Sequence, residues 1–147
     1  MQVDYLVVAD AAAAVEGKHY IHGAGWDRLL AVSFPVTHPM MSVAIRFRIG
    51  WTETNQPHEM ELDVVDEDGR SILSSPPGPP RGVINVGRPH HLTPGEDQVL
   101  PLALSLHNLT FDRPGLYAVV LRLDGQDVGR STFRVAALQP GTARPSA

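Results

Sequence analysis

Three observations predict an all-β fold, two antiparallel sheets packed face to face as a sandwich. Apolar residues recur at every second position along several stretches, which places them on one sheet face. Gly and Pro, 13 of each among 147 residues, fall between those stretches. Asp124-Gly125 sits between two apolar runs, a strong hairpin signal because Gly accepts positive φ at no steric cost. The runs and turns together amount to about seven to nine strands in one domain, residues 1–137.

Taken in order, Val3 to Ala9 reads as a strand. Ala11 to Ala14 favour helix by propensity. The space before Glu16-Gly17 is too short for a stable helix, so an extended first strand turning there into Lys18 to Ala24 is expected. Asp27 to Met41 contains Pro35 and Pro39 and reads as an irregular connection or a short edge strand. Ser42 to Gly50 is the cleanest strand, with Val43, Ile45, Phe47 and Ile49 on one face and Ala44, Arg46 and Arg48 on the other.

His58 to Val65 has the matching pattern, His58, Met60, Leu62 and Val64 against Glu59, Glu61 and Asp63. Placing Phe47 opposite Met60 sets Arg46 against Glu61 and Arg48 against Glu59. One register then satisfies both the apolar row and a charge ladder, so these two strands are expected to pair. Asp66 to Gly69 is a turn before a short strand around Ile72. Its acidic residues do not fit a calcium loop, because Val64 and Ser75 would occupy the first and twelfth positions.

Ser74 to Gln98 is a long proline-rich loop, with Pro76-Pro77-Gly78-Pro79-Pro80-Arg81 as a stiff surface segment and one short strand at Val83 to Val86. Val99 to Leu109 is a strand lined by Leu100, Leu102, Leu104 and Leu106. Pro101 requires its start to lie at a sheet edge or beside a bulge. In Pro114 to Val135, Tyr117, Val119, Leu121 and Leu123 form one apolar row, and Leu116, Ala118, Val120 and Arg122 a half-exposed one. A two-residue loop would pair Val119 with Arg130 and Tyr117 with Thr132, whereas a three-residue loop, Asp124 to Gln126, pairs Val119 with Ser131 and Tyr117 with Phe133 and keeps Phe133 and Val135 on the apolar row, so the three-residue loop is expected, with or without a bulge. Leu138 to Ala147 is composed as a disordered tail.

Pro114-Gly115-Leu116-Tyr117 resembles the start of the penultimate strand in immunoglobulin-like sandwiches, where a tyrosine hydroxyl bonds back to the preceding backbone. An ordinary core tyrosine after a turn reads the same way. A wider resemblance rests on Ala9-Asp10-Ala11, Glu16-Gly17-Lys18, Gly23-Ala24-Gly25-Trp26, Asp66-x-Asp68-Gly69, Gly87-Arg88-Pro89, and Pro114-Gly115-x-Tyr117 ahead of Asp124-Gly125. These motifs resemble a bacterial domain-of-unknown-function family found mainly in actinobacteria, over about residues 3 to 135. The resemblance implies a single small β domain and no particular chemistry.

Composition excludes several functions. The chain has no cysteine, which removes disulfides, thiolate catalysis and cysteine-ligated zinc. A net charge of −4 argues against non-specific nucleic-acid binding. Tyr5 to Ala9, the N-terminal apolar run, stops at Asp10 without a preceding basic region. Neither a signal peptide nor a membrane span is expected, and a cytoplasmic location is the default. His19 and His22 are three apart, so on a strand they face opposite sides, and the seven histidines show no metal-ligand spacing. No G-x-S-x-G elbow or dinucleotide fingerprint is present, so no catalytic residue, metal or cofactor is expected.

What remains is a binding surface. Trp26, Trp51, Arg88, His90 and His91 are its candidates, since aromatic and arginine residues often anchor partners. If both tryptophans are exposed at one end of the sandwich they anchor a partner; otherwise each plugs an end of the core. The expectation is a non-catalytic interaction or scaffold domain working through a protein partner or self-association. The alternative is a small-ligand or metal-binding enzyme using loop histidines.

Overall fold

The computed structural model describes residues 1–73, 77–139 and 141. Ser74, Ser75 and Pro76 of the proline-rich loop lie outside the described residues, as do tail residues 140 and 142–147. The described residues form nine strands: β1 Gln2–Val15, β2 Lys18–Ala24, β3 Arg28–Ala31, β4 Val36–Ile49, β5 Pro57–Val65, β6 Arg81–Asn85, β7 Gln98–Phe111, β8 Gly115–Leu123 and β9 Gln126–Ala137. One sheet has the order β2-β1-β4-β7 and the other β3-β9-β8-β5-β6. Their inner rows meet in one core, which includes Val43, Ile45, Phe47, Leu62, Val64, Val119, Leu121 and Phe133. Burying each such side chain is worth about 1.5–3 kcal/mol.

The closing hairpin follows its turn chemistry. Asp124 and Gly125 both have positive φ, 50° and 80°, which matches the twist of the flanking strands. Val119 pairs with Ser131 and Tyr117 with Phe133. The loop has two residues, not the expected three: Leu123 pairs with Gln126, and the register shifts between Leu121 and Arg122, so the extra residue is a bulge at Val128 that restores the row. The Tyr117 hydroxyl donates to the Arg113 carbonyl at 2.7 Å, which makes the tyrosine corner real. Its ring meets Phe111 edge-on at 4.9 Å and stacks on Phe133 at 6.1 Å.

Several expectations are corrected. β4 and β5 do not pair: β4 lies between β1 and β7, and β5 between β8 and β6 in the other sheet. Their apolar rows face each other across the core instead of lying side by side. A row with period two identifies a face but not the neighbour on that face. The ladder charges find other partners. Arg46 and Arg48 both bind Asp4, whereas Glu61 binds Arg81 and Arg122. A single 3-10 turn, Trp51–Glu53, carries the chain from one sheet to the other.

The region from Asp27 to Met41 is more regular than expected. β3 is a short edge strand, and it pairs with β9 in parallel, the exception to an otherwise antiparallel fold. β4 starts at Val36 and tolerates Pro39 because its counterpart across the ladder is Asn108, a residue at φ 52° in a break of the pairing. Ala118 and Val120, read as half exposed, are 4% and 0% exposed. A canopy of charged side chains rises around them. Arg122 reaches Glu61 at 2.7 Å, Asp127 at 3.0 Å and the buried Asp63 at 3.4 Å.

β1 is not straight. His19 of β2 contacts the Tyr5 hydroxyl at 2.7 Å through Nδ1 and donates from Nε2 to the Leu102 carbonyl of β7 at 2.9 Å. In a flat sheet β2 and β7 would stand about 14 Å apart, three strand spacings. Tyr5 and Ala14, the partner of His19, would be about 30 Å apart on a straight strand. The β1–β2 hairpin therefore doubles back over the outer face of its own sheet. The fold-back explains why Met41 to Ile45 are all buried, including the outward-facing Ser42 and Ala44 at 0% exposure. It also fits the half-buried Ala11 and Ala12, where small side chains allow a third layer to lie close.

Candidate functional site

The five sequence candidates do not form one site. Trp26 follows β2 and meets Phe133 edge-on at 5.8 Å, with His38 beyond it at 6.3 Å. Trp51 follows β4 at its opposite end. From His38 to Ile49 β4 spans roughly 35 Å, so the tryptophans sit at opposite ends of the sandwich. Trp26 is half-buried against the core, and its Nε1 is buried without a partner, as is His38 Nε2.

Trp51 and Arg88 do come together. The Arg88 guanidinium lies over the indole, 3.9 Å from the ring centroid, a cation–π contact. The same group donates to the Trp51 carbonyl at 2.8 Å and to Thr54 Oγ1 at 2.7 Å. Asn55 N–H donates to the Val86 carbonyl at 2.8 Å, and Gln98 Nε2 to the Gly87 carbonyl at 3.0 Å. Arg88 thus clamps the loop between β6 and β7 onto the 3-10 turn through its Nε and Nη2 donors. The N-terminal amine closes the same end through Glu53, whose other oxygen accepts from Gly50 N–H at 2.9 Å. His90 and His91 follow on the exposed part of that loop.

Other charged groups are also tied into structure. Asp124 accepts from His58 Nδ1 at 2.8 Å and from Glu59 N–H at 2.9 Å. The histidine bond, then the backbone bond, hold the Asp124 carboxyl below its ordinary range. The pair resembles a base and its orienting carboxylate, but His58 Nε2, the nitrogen that would act, is buried without a partner. Among the described residues no group of three His, Cys, Asp or Glu side chains is arranged to hold a metal. Asp66 is lowered chiefly by the Arg70 backbone N–H and serves its own turn, with Asp68 N–H also donating to it.

The surface that sequence reasoning missed is a cleft between the two sheets, where edge strand β6 faces edge strand β7. Its walls are Val83, Ile84 and Val86 on one side and Leu100, Leu102 and Leu104 on the other, around about 400 Å³. The three leucines also touch the core, so the cleft opens directly onto the interior. Val83 is 66% exposed, a β-branched apolar residue without cover. An adjoining recess of about 530 Å³ shares Met60, Gly82 and Val83 and adds Glu59, Glu61, Arg81 and Arg122. In that recess Glu61 is held below its ordinary carboxyl range, first by Arg122 and then by Arg81. The arrangement is an apolar slot with a charged mouth. Its sequence signal was the leucine row beside Pro101, which marks an apolar strand at a sheet edge.

Solved structures with a similar chain trace include the Pseudomonas fluorescens alkylpurine DNA glycosylase AlkC bound to DNA containing an abasic site analog. That likeness covers 92% of this chain and 30% of that one, at 11% identity and a TM-score of 0.44. A glycosyl hydrolase family 2 member from Bacteroides cellulosilyticus is similar over 69% of this chain and 14% of its own, at 16% identity and a TM-score of 0.36. The chain thus spans less than a third of the length of either protein, and likeness at this level carries nothing about function. No curated protein matches the chain. The profile of a family of unknown function, DUF6941, matches residues 4–136, nearly the whole described domain. The chain belongs to that family.

Proposed function

We propose that this protein is a non-catalytic interaction domain of a cytoplasmic bacterial protein, an immunoglobulin-like sandwich that takes an extended apolar segment of a protein partner in the β6–β7 cleft. The observation that carries this reading is the cleft itself: Val83, Ile84 and Val86 facing Leu100, Leu102 and Leu104 between two strand edges. The segment adds to the β6 edge, where it gains main-chain hydrogen bonds while alternate side chains fill the apolar slot against the leucines of β7. The charged mouth at Glu61, Arg81 and Arg122 sets the direction in which such a segment lies. Trp51 and Arg88 hold the loop that joins the two edges and so shape one end of the cleft.

The test is co-purification from bacterial lysate with the wild-type protein and with Val83→Glu as bait. A protein retained by the wild type and lost with Val83→Glu supports the reading. Equal retention by both baits places the interaction elsewhere.

A further inference from the structure

We propose that the β1–β2 hairpin is an exchangeable arm, and that a second copy of this chain can receive it on the outer face of the β1-β4-β7 sheet. The arm comprises residues 11–22. Its pairing is continuous from Ala11 to Val15 but skips one position, so that Ala9 pairs with Ala24 and Ala11 with His22. The skipped pair is Asp10 and Gly23. Gly23 has φ 64°, and a Cβ placed there would stand 2.2 Å from the Asp10 carboxylate. The break in the pairing is thus confined to one residue on each strand, and the hinge of the proposed exchange is placed there.

The arm presents Ala12, His19 and Ile21 inward, by their lower exposure than Ala13, Tyr20 and His22, and Ala14 shares their side by register, as the partner of His19. The face beneath holds Ser42 and Ala44, both 0% exposed, and a hydrogen bond of 3.0 Å between the Ser42 and Ser105 hydroxyls. A face of such small residues fits a closely laid strand pair, and its occupant is the chain's own arm. The polar contacts that fasten the arm converge on one residue: His19, to Tyr5 and to the Leu102 carbonyl.

Straightening β1 at Asp10 frees the arm without breaking a β1–β2 pair. Every contact it loses can be remade on a second copy, and the exchange is reciprocal, as two-fold symmetry requires. Within one chain the arm competes at an effective concentration of about millimolar for a short tether. The protein is therefore a monomer in dilute solution and exchanges arms at high concentration or when the hinge is forced straight. Docked in either way, His19 also caps a carbonyl of β7, which blunts that strand as an edge.

Light scattering after size exclusion tests the proposal in two independent ways. Wild-type protein unfolded in urea and refolded at about millimolar concentration should yield a dimer that persists on dilution. Gly23→Ala should raise the dimer fraction several-fold. Separately, Ile21→Asp spoils the arm and Ala44→Arg spoils the face. Each variant alone should stay monomeric, and an equimolar mixture should give a heterodimer, since one sound arm meets one sound face. A wild type that refolds only to monomer overturns the proposal. So does a dimer in which both single variants associate as readily as the wild type. If either variant loses its β-sheet circular dichroism, the wild-type refolding series decides.

Discussion

Replacing Tyr117 with Phe removes one oxygen and leaves the ring where it is. The ring is 4% exposed and wedged between Phe111 and Phe133, so packing is preserved. The change deletes the 2.7 Å bond to the Arg113 carbonyl. A single neutral hydrogen bond contributes about 0.5–1.5 kcal/mol, and a carbonyl left partly dry adds to the loss. We expect Tyr117→Phe to destabilise the protein by about 1–2 kcal/mol. With a urea slope of about 2 kcal/mol/M, the midpoint should fall by about 0.5–1 M. The melting temperature should fall by about 2–8 °C. Equilibrium urea unfolding followed by tryptophan fluorescence reads this directly, and the slope should stay unchanged. No shift in midpoint would refute the tyrosine-corner account. A loss above about 3 kcal/mol would refute the premise that the ring stays put. Burial, the largest influence, raises the Tyr117 hydroxyl above its ordinary value, so the corner stays protonated and bonded through neutral pH.

Asp63→Ala should cost about 2–4 kcal/mol in urea unfolding, because the buried carboxylate accepts from Ser71 Oγ at 2.6 Å and Val64 N–H at 2.8 Å and faces Arg122. Glu61, Asp66 and Asp124 all titrate below their ordinary values of 4.5, 3.8 and 3.8. In that range the unfolded chain binds more protons than the folded one, so stability is full above about pH 5 and falls as pH drops through the lowered values. Urea midpoints measured from pH 7 to pH 3 should show that decline, and Glu61→Gln should flatten part of it. Phe47→Ala, at the centre of the core with 0% exposure, should cost about 3–5 kcal/mol in the same assay. Arg88→Ala should loosen the loop between β6 and β7, read as faster amide hydrogen exchange at Asn55, whose N–H donates to Val86.

The parts of the fold that were legible are those set by local turn chemistry. Glu16-Gly17 and Asp124-Gly125 both close hairpins with positive φ, and each sits where the sequence placed it. Pro101 marked β7 as an edge strand, and β7 does end its sheet. Neighbours were less legible than faces. Phe47 and Met60 both lie on inner rows, yet the alternation that revealed those rows is the same whether strands pair or pack. The arm was hidden for another reason. Ala11 to Ala14 carry no polar or bulky alternation, so nothing in them shows which layer they join. Trp26 and Trp51 stood out as rare aromatics, but one leans on Phe133 and the other lies under Arg88. The β6–β7 cleft needed the strand order, because Val83 and Leu102 become neighbours only when the two sheets end on the same side.

A partner segment seated in the β6–β7 cleft would shield the backbone amides of both edges. Hydrogen exchange on the captured complex, compared with the free protein, measures that most directly. Slowed exchange is expected at residues 83–86 and 99–104, with the arm and the closing hairpin unchanged. Protection confined to the loop at His90 and His91, or to the Trp26 end, with none in the cleft, would contradict it.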